Sequence, residues 1–102
     1  MNPARGEASF RVGDAELTLR PSFAALVAAE GEIGPLFAFA ERAAEGQLAL
    51  GEIAVLFDHL SREGRPAAVT RERIGEALVA GGMVAAMPAV KAVLTQVLSG
   101  RA

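Results

Sequence analysis

The chain has 102 residues, which suits one domain with a single thin core. Hydrophobic residues make up 52% of it and aromatics only 5%, so that core must be built from Ala, Leu, Val and Ile, with Phe as its only aromatic. The formal net charge of −2 gives no electrostatic footprint for nucleic acid, and the lack of cysteine excludes disulfides, thiolate zinc sites and a cysteine nucleophile.

Residues 1–6 are polar, carry no apolar signal core, and are expected to be a flexible N-terminus ahead of one domain over residues 7–100. No run approaches the roughly 18 apolar residues of a membrane span. Val79 to Val90 is the most apolar stretch, and Gly81, Gly82 and Pro88 interrupt it. A cytoplasmic protein with no membrane partner is expected.

Residues 7–20 predict a β-hairpin. With Gly13-Asp14 as a two-residue loop, Val12 faces Ala15, Phe10 faces Leu17 and Ala8 faces Leu19. The other face then opposes Arg11 to Glu16, Ser9 to Thr18 and Glu7 to Arg20. A slip of one residue would destroy both faces at once. Glycine at the first loop position suits a type II′ turn. An isolated hairpin is marginal in water, so its apolar face must rest on helices.

After Arg20 the apolar period becomes helical. Ser22 is the predicted N-cap of a helix carrying Phe23, Leu26, Val27 and Glu30, stopped by Gly31 and Gly34. Pro35 opens a second helix in which Leu36, Phe39, Ala40 and Ala43 share a face, and Gly46 ends it. The third helix spans about Leu50 to Glu63, with Ile53, Leu56, Phe57 and Leu60 as its apolar stripe. Thr70 caps a fourth helix that turns Ile74, Ala77 and Leu78 inward. Gly81-Gly82 breaks it. In the last helix Pro88 sits either in the first turn or inside a helix begun near Met83. The expected fold is α+β but mostly helical: a hairpin over 7–20 packed on four to five short helices over 22–100.

Candidate chemistry is sparse. His59 and Glu63 share a helix face beside Asp58, but a structural metal site takes four ligands and His59 is the only histidine, so a solvated face is the better reading. Glu30 and Glu32 bracket Gly31 without a further polar partner, as acids at helix ends commonly do. The pairs Gly31/Gly34 and Gly81/Gly82 fit no phosphate-binding or dinucleotide fingerprint. Arg62, Arg65, Arg71 and Arg73 gather at one helix–loop–helix junction, yet Glu63, Glu72 and Glu76 are interleaved with them. No catalytic residue, cofactor or metal is expected. The apolar C-terminal helix, Met83 to Leu98, carries Lys91 as its only charge and is expected to supply a partner-binding or self-association surface through Met83, Val84, Met87, Val93 and Leu98.

Several phrases follow one another along the chain in a distinctive order. Asn2-Pro3-Ala4-Arg5-Gly6-Glu7 leads into the hairpin, and Leu19-Arg20-Pro21-Ser22-Phe23-Ala24-Ala25-Leu26 follows it, with Glu30 and a glycine beyond. Gly46, Leu50-Gly51-Glu52-Ile53, Thr70 and a Gly-started apolar helix complete the series. In this order the chain resembles, over nearly its whole length, the tail assembly chaperones of gene transfer agents and related tailed phages. The resemblance implies a non-enzymatic protein that binds the tape-measure protein, keeps that long apolar helix soluble and helps tail-tube subunits assemble around it. Some members are tail components, so a structural subunit retained in the particle is the alternative, and a small helical DNA-binding regulator is the third reading.

Overall fold

The computed structural model describes residues 7–100. The expected flexible N-terminus and most of the opening phrase, Asn2 to Gly6, therefore lie outside the described residues.

Strands β1 (Ala8–Val12) and β2 (Ala15–Leu19) form a two-stranded antiparallel hairpin. Its register pairs Ala8 with Leu19, Phe10 with Leu17 and Val12 with Ala15, as the alternation requires. Gly13 has φ +59° and Asp14 has no positive φ, which is the type II′ arrangement. Arg11 and Glu16 stand opposite each other on the exposed face. Leu17 and Leu19 are buried, while Phe10 is only partly buried, its ring packed edge-on against Phe57 with centroids 5.0 Å apart.

Five helices follow: α1 (Phe23–Ile33), α2 (Leu36–Ala44), α3 (Leu50–Ser61), α4 (Arg71–Gly81) and α5 (Met83–Ser99). Two caps read from the sequence are made: Ser22 Oγ accepts from the Ala25 N–H and Thr70 Oγ1 from the Arg73 N–H, both at 3.2 Å. Ala49 has no side-chain oxygen to cap α3, but Glu52 supplies half of a capping box by accepting from the Ala49 N–H at 3.1 Å.

Three local expectations are corrected. Gly31 does not stop α1, which runs to Ile33 and ends at Gly34, φ +85°. A helical glycine costs only about 1 kcal/mol, and Ile33, packed on the core, holds the last turn. Phe23 and Val27 do not face inward: they are 84% and 48% exposed. Instead α1 lies against α3 through the fully buried Ala29, with Ala25, Leu26 and Ile33 beside it, and small residues permit that close approach. Finally α3 ends at Ser61, short of Glu63, because the chain folds back there to bring Arg65 onto Asp58.

The centre of the molecule is α3. Ile53, Leu56, Phe57 and Leu60 are all buried, against α1 on one side and α4 and β2 on the others. The Arg20 N–H donates to the Leu60 carbonyl at 2.8 Å, which ties the end of the hairpin to the end of α3. Helix α5 closes the core against β1 and α4 through Ala86, Val90, Val93 and Leu94. It starts at Met83 and contains Pro88, so the second of the two sequence readings holds. Pro88 has no N–H to give the Val84 carbonyl four residues back. Val93 is fully buried, which removes it from the accessible surface expected of this helix. Its place on the stripe with Val90 and Leu94 turns it inward.

Candidate functional site

The residues with chemical potential assemble, but into a structural cluster. Asp58 is a buried carboxylate on α3, with 3% of its side chain exposed. Oδ2 accepts from Arg62 at 2.7 Å and from Arg71 Nε at 3.0 Å, and Oδ1 accepts from Arg65 at 2.7 Å. Burial alone would push the Asp58 carboxyl up, yet the three guanidinium hydrogen bonds outweigh it and hold the group below the usual carboxylate range. Arg71 reaches on to α1, donating to both Glu32 oxygens at 2.8 and 2.7 Å. His59 Nε2 lies 2.5 Å from the same Glu32. Arg71 first, and His59 second, draw the Glu32 carboxyl down to about 2. The pairing with Glu32, then with Asp58, raises the already high value of Arg71.

This network joins α1, α3, α4 and the loop between α3 and α4. It engages three of the four junction arginines with carboxylates, and Arg73 sits 3.9 Å from Glu76. A phosphate-facing patch would need those guanidinium groups turned outward. His59 and Asp58 have different partners, and Glu63 is exposed; among the described residues no group of three or more His, Asp or Glu is placed to hold a metal ion. Glu30 and Glu32 are likewise separated in role, since Glu30 accepts from the Leu36 N–H at 2.9 Å at the start of α2.

The feature suited to binding is an open groove of about 890 Å³ between α2 and α5. One wall is the alanine ridge Ala40, Ala43 and Ala44. The other is the face of α5 that carries Val84, Met87, Lys91, Leu94 and Leu98. The α2 wall is positioned from behind: Arg42 pairs with Glu52 of α3 at 2.6 Å and lies over the Phe39 ring, 5.7 Å from its centroid. That pairing lowers the Glu52 carboxyl and raises Arg42. The α5 wall is fixed by the burial of Ala86, Ala89 and Val93 beneath it.

Of the five partner-surface residues expected from the sequence, Val84, Met87 and Leu98 line the groove. Met83 is partly buried outside it, and Val93 lies in the core. The alanine wall escapes sequence reading because alanine is at home in any helix. The α5 wall did carry a signal, the spacing of positions 84, 87, 91, 94 and 98. Phe23 and Phe37, 84% and 75% exposed, are further surface aromatics that helical spacing alone does not place.

Among the described residues, no single helix is long and apolar enough to cross a membrane. No curated protein and no solved structure matches the chain. A family model does match, over residues 5–100, and thus from before the hairpin to the end of α5. The chain belongs to the phage-tail family described as phage tail tube protein, GTA-gp10.

Proposed function

We propose that this phage-tail protein is a tail assembly chaperone: a non-enzymatic, cytoplasmic protein that holds an apolar helix of the tape-measure protein in the α2/α5 groove while tail-tube subunits assemble. The observation that carries this reading is the groove itself. Its walls are mainly alanine, valine, methionine and leucine, with Thr95 and Ser99 as polar lining residues and Lys91 as the only charged one. An amphipathic helix laid into an apolar groove is a recurring mode of peptide recognition. The alanine ridge leaves room for an incoming backbone, and Met87 offers an adaptable contact.

The test is co-expression with a candidate tape-measure protein from the same genome. Recovery of a complex from the wild type, lost on Val84→Glu, is the expected result. No complex, or one indifferent to that substitution, would overturn it. The description of the family as a tail tube protein favours a second reading, a structural subunit retained in the tail. Mass spectrometry of purified particles separates the two: a chaperone is absent from the finished tail, and a subunit is present in stoichiometric amount.

A further inference from the structure

Among the α5 residues that line the groove, Val84, Met87, Lys91, Leu94 and Leu98 follow one another in steps of three, four, three and four residues. That is the a/d spacing of a coiled-coil seam, here about 21 Å long at 1.5 Å per residue. Four positions are apolar. The fifth, at the centre, is the only charged residue between Ala77 and Gly100. Lys91 is exposed and makes no ion pair among the described residues.

We propose that the groove takes a partner helix with a matching apolar seam and a carboxylate opposite Lys91, and that Lys91 keeps a second copy of this chain out. A charge at one core position of a seam sets register and partner choice at some cost in affinity, because it must be paired or left near apolar surface. Lys91 is the middle of the five positions, with Val84 and Leu98 seven residues to either side, Met87 four before it and Leu94 three after it. Self-pairing in parallel register brings the two Lys91 ammonium groups together. Antiparallel self-pairing sets the two Lys91 in neighbouring layers, each against an apolar residue of the other copy, so two like charges lie close together on apolar surface without a partner. A carboxylate on a different helix converts that repulsion into a pair. Like-charge juxtaposition thus excludes the wrong partner while the apolar positions supply affinity. The inference rests on the groove being the docking site proposed above.

The test uses the full chain and three synthetic helical peptides with the same apolar seam, carrying Glu, Gln or Lys at the central position. Binding is followed by fluorescence anisotropy. The Glu peptide is expected to bind roughly fivefold more tightly than the Gln peptide, and the Lys peptide correspondingly more weakly. The preference should shrink as salt rises, since Lys91 is exposed. It should vanish with Lys91→Gln and reverse with Lys91→Glu, both checked for fold by circular dichroism. Equal binding of all three peptides, with Val84→Glu still abolishing it, overturns the role of Lys91 and leaves the groove. Failure of every peptide to bind overturns the groove and this inference with it. By sedimentation the wild type should be monomeric and Lys91→Leu should self-associate. A wild-type dimer that Val84→Glu dissociates, or a Lys91→Leu chain that stays monomeric, overturns the exclusion of a second copy.

Discussion

Arg65 donates a 2.7 Å hydrogen bond to Oδ1 of Asp58, seven residues earlier in the chain, and the same nitrogen lies 3.2 Å from both the Asp58 carbonyl and Ser61 Oγ. The loop that leaves α3 is thereby fastened to the last turn of the helix it leaves. Because Asp58 also holds Arg71 of α4, one carboxylate fixes where α4 begins.

Removal of that carboxylate should be costly. Asp58 is nearly fully buried, and its loss would leave Arg65, whose side chain is only 14% exposed, without its main partner. Asp58→Ala is expected to destabilise by about 3 kcal/mol or more, because the partner charge stays behind uncompensated. Arg62, with 54% of its side chain exposed, makes the weaker link. Arg62→Ala should cost under about 1 kcal/mol. Urea denaturation of the two variants checks the order, and equal losses would mean that the Arg65 and Arg71 pairs add nothing to the Arg62 one.

The same cluster sets the response to acid. The Glu32 carboxyl is held at about 2 against an ordinary 4.5, and Asp58 is held below its ordinary 3.8. Both values are depressed by folding, so their contribution is complete above the ordinary carboxylate range and is lost as pH falls through the folded values. The melting temperature should be flat from neutrality down to about pH 5 and then fall. Glu32→Gln should lower the plateau and make the fall shallower. A wild-type profile that begins to fall near neutrality would contradict this.

Some of the fold is legible in the sequence, and the reason differs by element. The hairpin register follows from Phe10, Leu17 and the Gly13-Asp14 loop, since only one pairing separates apolar from charged residues. The α3 stripe follows from Ile53, Leu56, Phe57 and Leu60, whose large side chains dominate the inner face that Ala54 shares with them. In α1 the same logic fails. Phe23 and Val27 are larger than Ala29, yet Ala29 goes inside because the α1–α3 distance is set by the smallest side chain between them. The Asp58 cluster is hidden for another reason: its partners are dispersed from Glu32 to Arg71, and only the tertiary fold brings them together.

Phe57 is the largest test of the core. Its side chain is fully buried and its ring meets Phe10 at 60°. Phe57→Ala is expected to cost about 3–5 kcal/mol. Set against a total stability of about 5–15 kcal/mol for a domain of ordinary stability, that is enough to unfold a marginal chain. Phe57→Leu should lose less, because more of the volume is kept. Thermal melts of the pair check this, and an unchanged Phe57→Ala transition would mean that the core closes around the gap at no cost.

Helix α5 offers two valines nine positions apart that answer opposite questions. Val84 is 84% exposed on the groove wall, and Val93 is fully buried. The same change, valine to glutamate, should therefore separate folding from binding. Val93→Glu puts a carboxylate among Val90, Leu94 and the rest of the core with no partner there. It is expected to cost more than about 4 kcal/mol and to leave the chain unfolded or expanded. Val84→Glu changes a surface position and should leave the melting temperature within the effect of about 0.5 kcal/mol. Yet it places a carboxylate at the end of the apolar seam, where a docking helix would have to desolvate it. Circular dichroism and co-purification with the tape-measure protein read the two effects separately. A Val84→Glu chain that unfolds would move that residue into the core. A Val93→Glu chain that stays folded would place α5 the other way round, with the Val93 face open to a partner and the Val84 face against the domain.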